Sequence, residues 1–213
     1  VASAQIQSAE RATVSEHFGN IEFADGQGFA KTLTTDHKSG HPVLSPDGRT
    51  VAWIHIDKTA EVDQRGETSL WVADGLTGAI RKLSRGTQRD DFRSNIVNPY
   101  SAAFSLDGGF LYVTSELGSV TNGIHEIRLA TDQHKFIIEG TLESAIRTGP
   151  YRGYLIVWQH RYFGPPKQGS YDGTYVVRPD AKQIFLIPGS IDQTDGGAGA
   201  VNRWLASKGW RAW

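Results

Sequence analysis

Ser45-Pro46-Asp47-Gly48-Arg49-Thr50-Val51-Ala52-Trp53 decides the fold, because Ser105-Leu106-Asp107-Gly108-Gly109-Phe110-Leu111-Tyr112-Val113 restates its pattern sixty residues later. Each copy reads as a tight turn feeding an apolar strand. In the first, Pro46 presets φ, Asp47 can hold neighbouring backbone N–H groups, and Gly48 accepts a positive φ. The run after the turn stays apolar through much of its length, as a buried strand does. A pattern that recurs at such a spacing marks repeated supersecondary units.

Around the first copy, four short strands follow one another. His41 to Leu44 leads into the turn and Thr50 to Ile56 leaves it. After a polar linker come Thr68 to Ala73, the turn signals Asp74-Gly75 and Thr77-Gly78, and a last strand, Ala79 to Leu83. Four antiparallel strands with turns between them make one β-propeller blade. Blades are expected at about 39–86, 96–140 and 141–190, with 13–35 as a partial blade and 1–12 as a flexible lead. In the last blade Gly149-Pro150-Tyr151-Arg152-Gly153 replaces the Ser-x-Asp-Gly phrase. Residues 193–213 read as a hinge and a short amphipathic helix, with Val201, Trp204 and Leu205 at helical spacing between Ala200 and Trp210. The expected class is all-β: a β-propeller-like array of about three to four four-stranded antiparallel blades with a short C-terminal helix. So few blades leave apolar faces to cover. A compact ring, a homodimer completing the propeller, a longer chain, or the helix with Trp204, Trp210 and Trp213 would each cover them.

The phrase from His41 to Trp53, followed by Leu70-Trp71-Val72-Ala73-Asp74, resembles the TolB-type, WD-like propeller repeat. That repeat also occurs beside prolyl-oligopeptidase-type peptidases and in many periplasmic binding proteins. The resemblance covers residues 29–140 well and 141–190 by strand order. It implies a propeller in an exported bacterial protein, periplasmic or secreted.

Composition narrows the function. The chain has 213 residues, 22 basic against 23 acidic, for a net charge of −1. With no basic stripe, it lacks the phosphate-neutralising charge of a nucleic-acid binder. No window approaches the ~20 apolar residues that span a bilayer. There is no Cys, which removes disulfide and thiolate chemistry. Ala2-Ser3-Ala4 before Gln5 has the small-x-small pattern of a signal-peptidase cut, so export is expected.

No Gly-x-Ser-x-Gly elbow, His-Glu-x-x-His, phosphate loop or dinucleotide fingerprint occurs. The seven His are scattered. His37 and His41, four apart at a turn–strand junction, do not make a metal pair, and His55 reads as a satisfied strand residue. Asp47 and Asp107 read as turn residues. No catalytic residue, metal or cofactor is assigned. The stretch Gln159–Asp172 stands out. It lengthens a blade hairpin and gathers His160, Arg161, Tyr162, Phe163 and Tyr171 around Pro165-Pro166. A second stretch, Gln88–Asn95, carries Arg89, Phe92 and Arg93. Arg and aromatics on a stiffened segment make binding hot spots. The other reading is that Tyr162 and Phe163 fold back over the worn blade. The expected function is a non-enzymatic exported binding module for a protein or peptide partner. The alternatives are a hydrolase or lyase with its site in a propeller funnel, and a carbohydrate-binding propeller.

Overall fold

The structure, a computed structural model, describes residues 11–61, 66–84, 93–118 and 121–212. The chain divides into two compact units, residues 1–85 and 86–213. In the first unit β1 (Thr13–His17), β2 (Asn20–Ala24) and β3 (Ala30–Thr32) form a three-stranded antiparallel sheet. Four strands follow in sequence order in a second sheet: β4 (Ser39–Leu44), β5 (Thr50–Lys58), β6 (Glu67–Asp74) and β7 (Ile80–Lys82).

Strand alternation decides what these sheets bury. Ile21 and Phe23 of β2 point into a core with Val51, Trp53 and Ala73, and Val14 of β1 packs on the same side. Thr13, Ser15 and His17 alternate with Val14 and stay exposed. The outer face of this sheet is therefore polar. A Cβ on Gly75 would lie 2.6 Å from the Phe23 ring, so the turn after β6 closes on the core only as glycine.

In the second unit β8 (Val97–Phe104), β9 (Phe110–Glu116), β10 (Asn122–Arg128) and β11 (His134–Glu139) form one meander. A second comprises β12 (Thr141–Ala145), β13 (Leu155–Tyr162), β14 (Ser170–Val177) and β15 (Ile184–Leu186). Tyr112, Ile124, Leu155, Val157 and Tyr175 meet in the core between the two sheets. The opposite face of the last sheet, Ile156, Val176 and Ile187, packs on Val201 and Leu205 of the helix α1 (Ala198–Lys208). Trp204 and Trp210 seal its edge, their rings 5.4 Å apart, whereas Trp213 lies outside the described residues. Asp195 starts the helix: its carboxylate accepts the Gly197 and Gly199 N–H groups at 2.9 and 2.7 Å. Those two donors hold its carboxyl below the usual range. Gly209, at φ 67°, ends the helix and donates to Ala206 O at 3.1 Å. No helix among the described residues is long and apolar enough to cross a membrane.

The two copies of the decisive phrase fold alike. Asp47 Oδ1 accepts the Arg49 N–H at 3.1 Å, and Asp107 Oδ1 accepts the Gly109 N–H at 3.0 Å. Gly48 and Gly108 sit at φ 73° and 72°. Ser45 and Ser105 do more than the sequence suggests. Each hydroxyl donates to its Asp, at 2.5 and 2.6 Å, and accepts the N–H of Thr50 or Phe110, at 2.8 and 2.9 Å. The hydroxyl ties the turn to the strand that follows. Prolines mark the irregular points of the first strands: the β4–β5 register shifts between Gly40 and Val43, around Pro42, and the β8–β9 register between Val97 and Ser101, around Pro99. A residue without an N–H fits a bulge and not a regular ladder.

The worn third blade is complete. Its first strand, β12, precedes the Gly149–Gly153 turn that stands in for the Ser-x-Asp-Gly phrase.

Candidate functional site

The Gln159–Asp172 stretch is more ordered than a loop of that composition suggests. β13 runs to Tyr162 and β14 begins at Ser170, so both flanks are strand and only residues 163–169 turn between them. The register pairs Gln159 with Gly173, His160 with Asp172, Arg161 with Tyr171, and Tyr162 with Ser170. Two faces result. His160 and Tyr162 share one, with ring centroids 5.3 Å apart, and His160 Nδ1 lies 2.7 Å from Asp172 Oδ1. On the other face the Arg161 guanidinium lies 4.2 Å over the Tyr175 ring and donates to Gln159 Oε1 through Nε and Nη2, at 3.0 and 2.7 Å. The Tyr175 hydroxyl donates to the Tyr171 hydroxyl at 3.1 Å, and burial pushes the Tyr175 phenol up to about 12.

At the tip Phe163 stacks on Tyr171 at 4.7 Å, and the Lys167 ammonium sits 3.5 Å over the Phe163 ring. Phe163 and Tyr171 are thus engaged with the hairpin itself. Tyr162 is 79% exposed, so it does not fold back over the blade.

A groove of about 510 Å³ runs beside this hairpin, with Trp158 to Tyr162 on one wall and Phe136 to Thr141 on the other. Arg93 also lines it, its Nη2 2.7 Å from Glu139 Oε1 and its guanidinium 5.5 Å over the Phe136 ring. The structure therefore brings one residue of the second stretch to the same groove as His160, Arg161 and Tyr162. Arg89 and Phe92 lie outside the described residues. The floor is fixed by the crossover from β11 to β12: Gln159 Nε2 donates to Glu139 O, and Gly140, at φ 132°, packs directly under the Trp158 carbonyl. A second cavity of about 500 Å³ lies under α1, between Ser144, Thr174, Asn202 and Trp210.

Several other His and Trp residues among the described ones are held by neighbouring groups of the fold. His55 sits between Asp36 and Asp57, at 3.4 and 3.7 Å, and Asp57 also takes Lys82 at 3.0 Å and the Ser69 hydroxyl at 2.9 Å. His37 Nδ1 lies 2.8 Å from Phe18 O. His125 is fully buried, and neither ring nitrogen has a hydrogen-bond partner among the described residues. Trp53, Trp204 and Trp210 pack in apolar clusters instead of offering open stacking faces. Among the described residues no three His, Cys, Asp or Glu side chains gather as metal ligands would.

No protein-family model matches the chain, and no curated protein matches it. Solved structures do. An oligogalacturonate lyase in complex with manganese is 17% identical with a TM-score of 0.52, over 82% of this chain and 43% of that one. The tricorn protease is 15% identical with a TM-score of 0.52, over 86% of this chain and 18% of that one. TolB from Acinetobacter baumannii is 16% identical with a TM-score of 0.44, over 83% of this chain and 46% of that one. The chain thus spans less than half the length of each. The likeness is one of fold: these sheets are β-propeller blades.

Proposed function

We propose that this chain is a non-enzymatic binding module that holds a protein or peptide segment in the groove beside the β13–β14 hairpin. One observation carries the reading: Arg93 from before β8 and His160, Arg161 and Tyr162 from β13 line one groove of about 510 Å³. Arginine and tyrosine dominate binding hot spots, because each combines a large contact area with directional donors. The site is also pre-ordered. Its side chains stand on paired strands, and Arg161 is held by Tyr175 and Gln159, so little side-chain freedom is lost on binding.

Panning a displayed peptide library on the immobilised protein tests this. Selected peptides are expected to lose at least ~tenfold in affinity for Arg161→Ala with Tyr162→Ala, the usual loss at an interface anchor. The midpoint of thermal unfolding should fall by less than about 5 °C, because Tyr162 is exposed and Arg161, half-buried, contacts only its own sheet among the described residues. Peptides that bind the double variant equally well, or a double variant that no longer folds, would refute the site.

A further inference from the structure

β13 reaches beyond the strand on its inner side. The β12–β13 ladder ends at the pair Thr141 and Trp158, whereas the β13–β14 ladder continues to Tyr162 and Ser170. Residues 159–162 therefore have a neighbour strand on one side only. Alternation tells which main-chain groups face the open side. The Phe163 N–H donates to Gly169 O at 3.0 Å, towards β14, so Arg161 and Gln159 aim the same way. On the facing strand the Asp172 N–H donates to Asp192 Oδ1 at 2.9 Å, and Asp172 O accepts the Asp192 N–H at 2.9 Å, both away from β13. His160, paired with Asp172, and Tyr162 in step with it thus turn their N–H and C=O groups to the open edge. Among the described residues nothing pairs with those four groups.

We infer that this edge takes an extended acidic peptide as an added strand, main chain to main chain with His160 and Tyr162. The inference rests on the groove being the binding site. Strand addition draws affinity from main-chain bonds and selectivity from the side chains that flank them. Charge selects the occupant. Arg93 is offset by Glu139, and the His160 ring Nδ1 lies 2.7 Å from the Asp172 carboxylate. Arg161 and Lys167 have no carboxylate partner among the described residues; their charges rest on Tyr175 and Phe163 rings. A strand laid along β13 would place every second side chain on the face that Arg161 occupies. Asp or Glu there would supply the missing carboxylate, and an Arg–carboxylate bond is about twice as strong as a neutral one.

Synthetic nine-residue peptides test this, one set with Glu at every second position and one with Lys. The Glu set should bind at least ~tenfold tighter. N-methylation of the best peptide should cost ~tenfold at alternate residues, those whose N–H faces β13, and little at the residues between. Tyr162→Pro removes one open-edge donor without touching the β14 ladder, and should bind more weakly than Tyr162→Ala, which keeps it. If Tyr162→Pro does not fold, the N-methyl series decides alone. Binding that Arg161→Ala with Tyr162→Ala abolishes, yet that ignores charge and N-methylation, would overturn strand addition and leave the groove as the site. No binding by either set, or binding that the double variant retains, would overturn both.

Discussion

Acidification from pH 7 to pH 4 is expected to remove roughly 3 kcal/mol of stability through His125 alone. This imidazole is fully buried on β10, between the rings of Phe136 and His134 at 5.6 and 6.1 Å. Burial, aided by the charge of His134, pushes its pKa down to about 4 from the ordinary 6.5. The native state thus keeps it neutral where the unfolded chain already binds a proton. Because the unfolded state holds more protons between the two values, stability falls as pH drops through 6.5 and levels off below about 4. Denaturant titrations at pH 7.5 and pH 4.5 measure the loss, and His125→Phe should flatten it while keeping an aromatic ring beside Phe136. A His125→Phe protein with the wild-type pH dependence would assign the acid sensitivity elsewhere.

Gly140→Ala is expected to cost about 2–4 kcal/mol, the sum of a strained backbone and an overpacked contact. Gly140 carries the chain from β11 to β12 at φ 132°, where an L side chain is strained. A Cβ there would also fall 2.6 Å from Trp158 O and 2.7 Å from a Val157 methyl. Both neighbours belong to the middle of a sheet, so neither yields easily. The change should push on Trp158 and Gln159 and disturb the groove as well as the fold. Chemical denaturation measures the first effect, and peptide affinity under native conditions measures the second. A Gly140→Ala protein of wild-type stability would mean that the crossover relaxes freely.

The repeats were legible because the turn chemistry is local. Asp47, Gly48, Asp107 and Gly108 do what their residue types require wherever a turn feeds a strand. The part played by the Ser45 and Ser105 hydroxyls is not a local pattern, since the N–H groups they accept lie five residues on and only the folded turn brings them together. β12 escaped because Thr141–Ala145 has neither strong alternation nor a flanking turn signal; its pairing with β13 makes it a strand. In the hairpin, composition singles out five residues, and the structure adds what composition lacks: Tyr171 and Phe163 stack on each other, whereas His160, Arg161 and Tyr162 line the groove. That Arg93 joins them depends on two blades packing side by side, which no local pattern encodes. His125 likewise looked like one of seven scattered histidines until burial singled it out.

Residue-resolved amide hydrogen exchange, with and without a saturating Glu-rich peptide, tests the central claim most directly. In the free protein the His160 and Tyr162 amides should exchange fast, while those of Gln159, Arg161 and Phe163, paired with β14, exchange slowly. Peptide should slow His160 and Tyr162 and leave the other three unchanged. If His160 and Tyr162 are already protected in the free protein, or stay fast when peptide is bound, no strand adds at this edge.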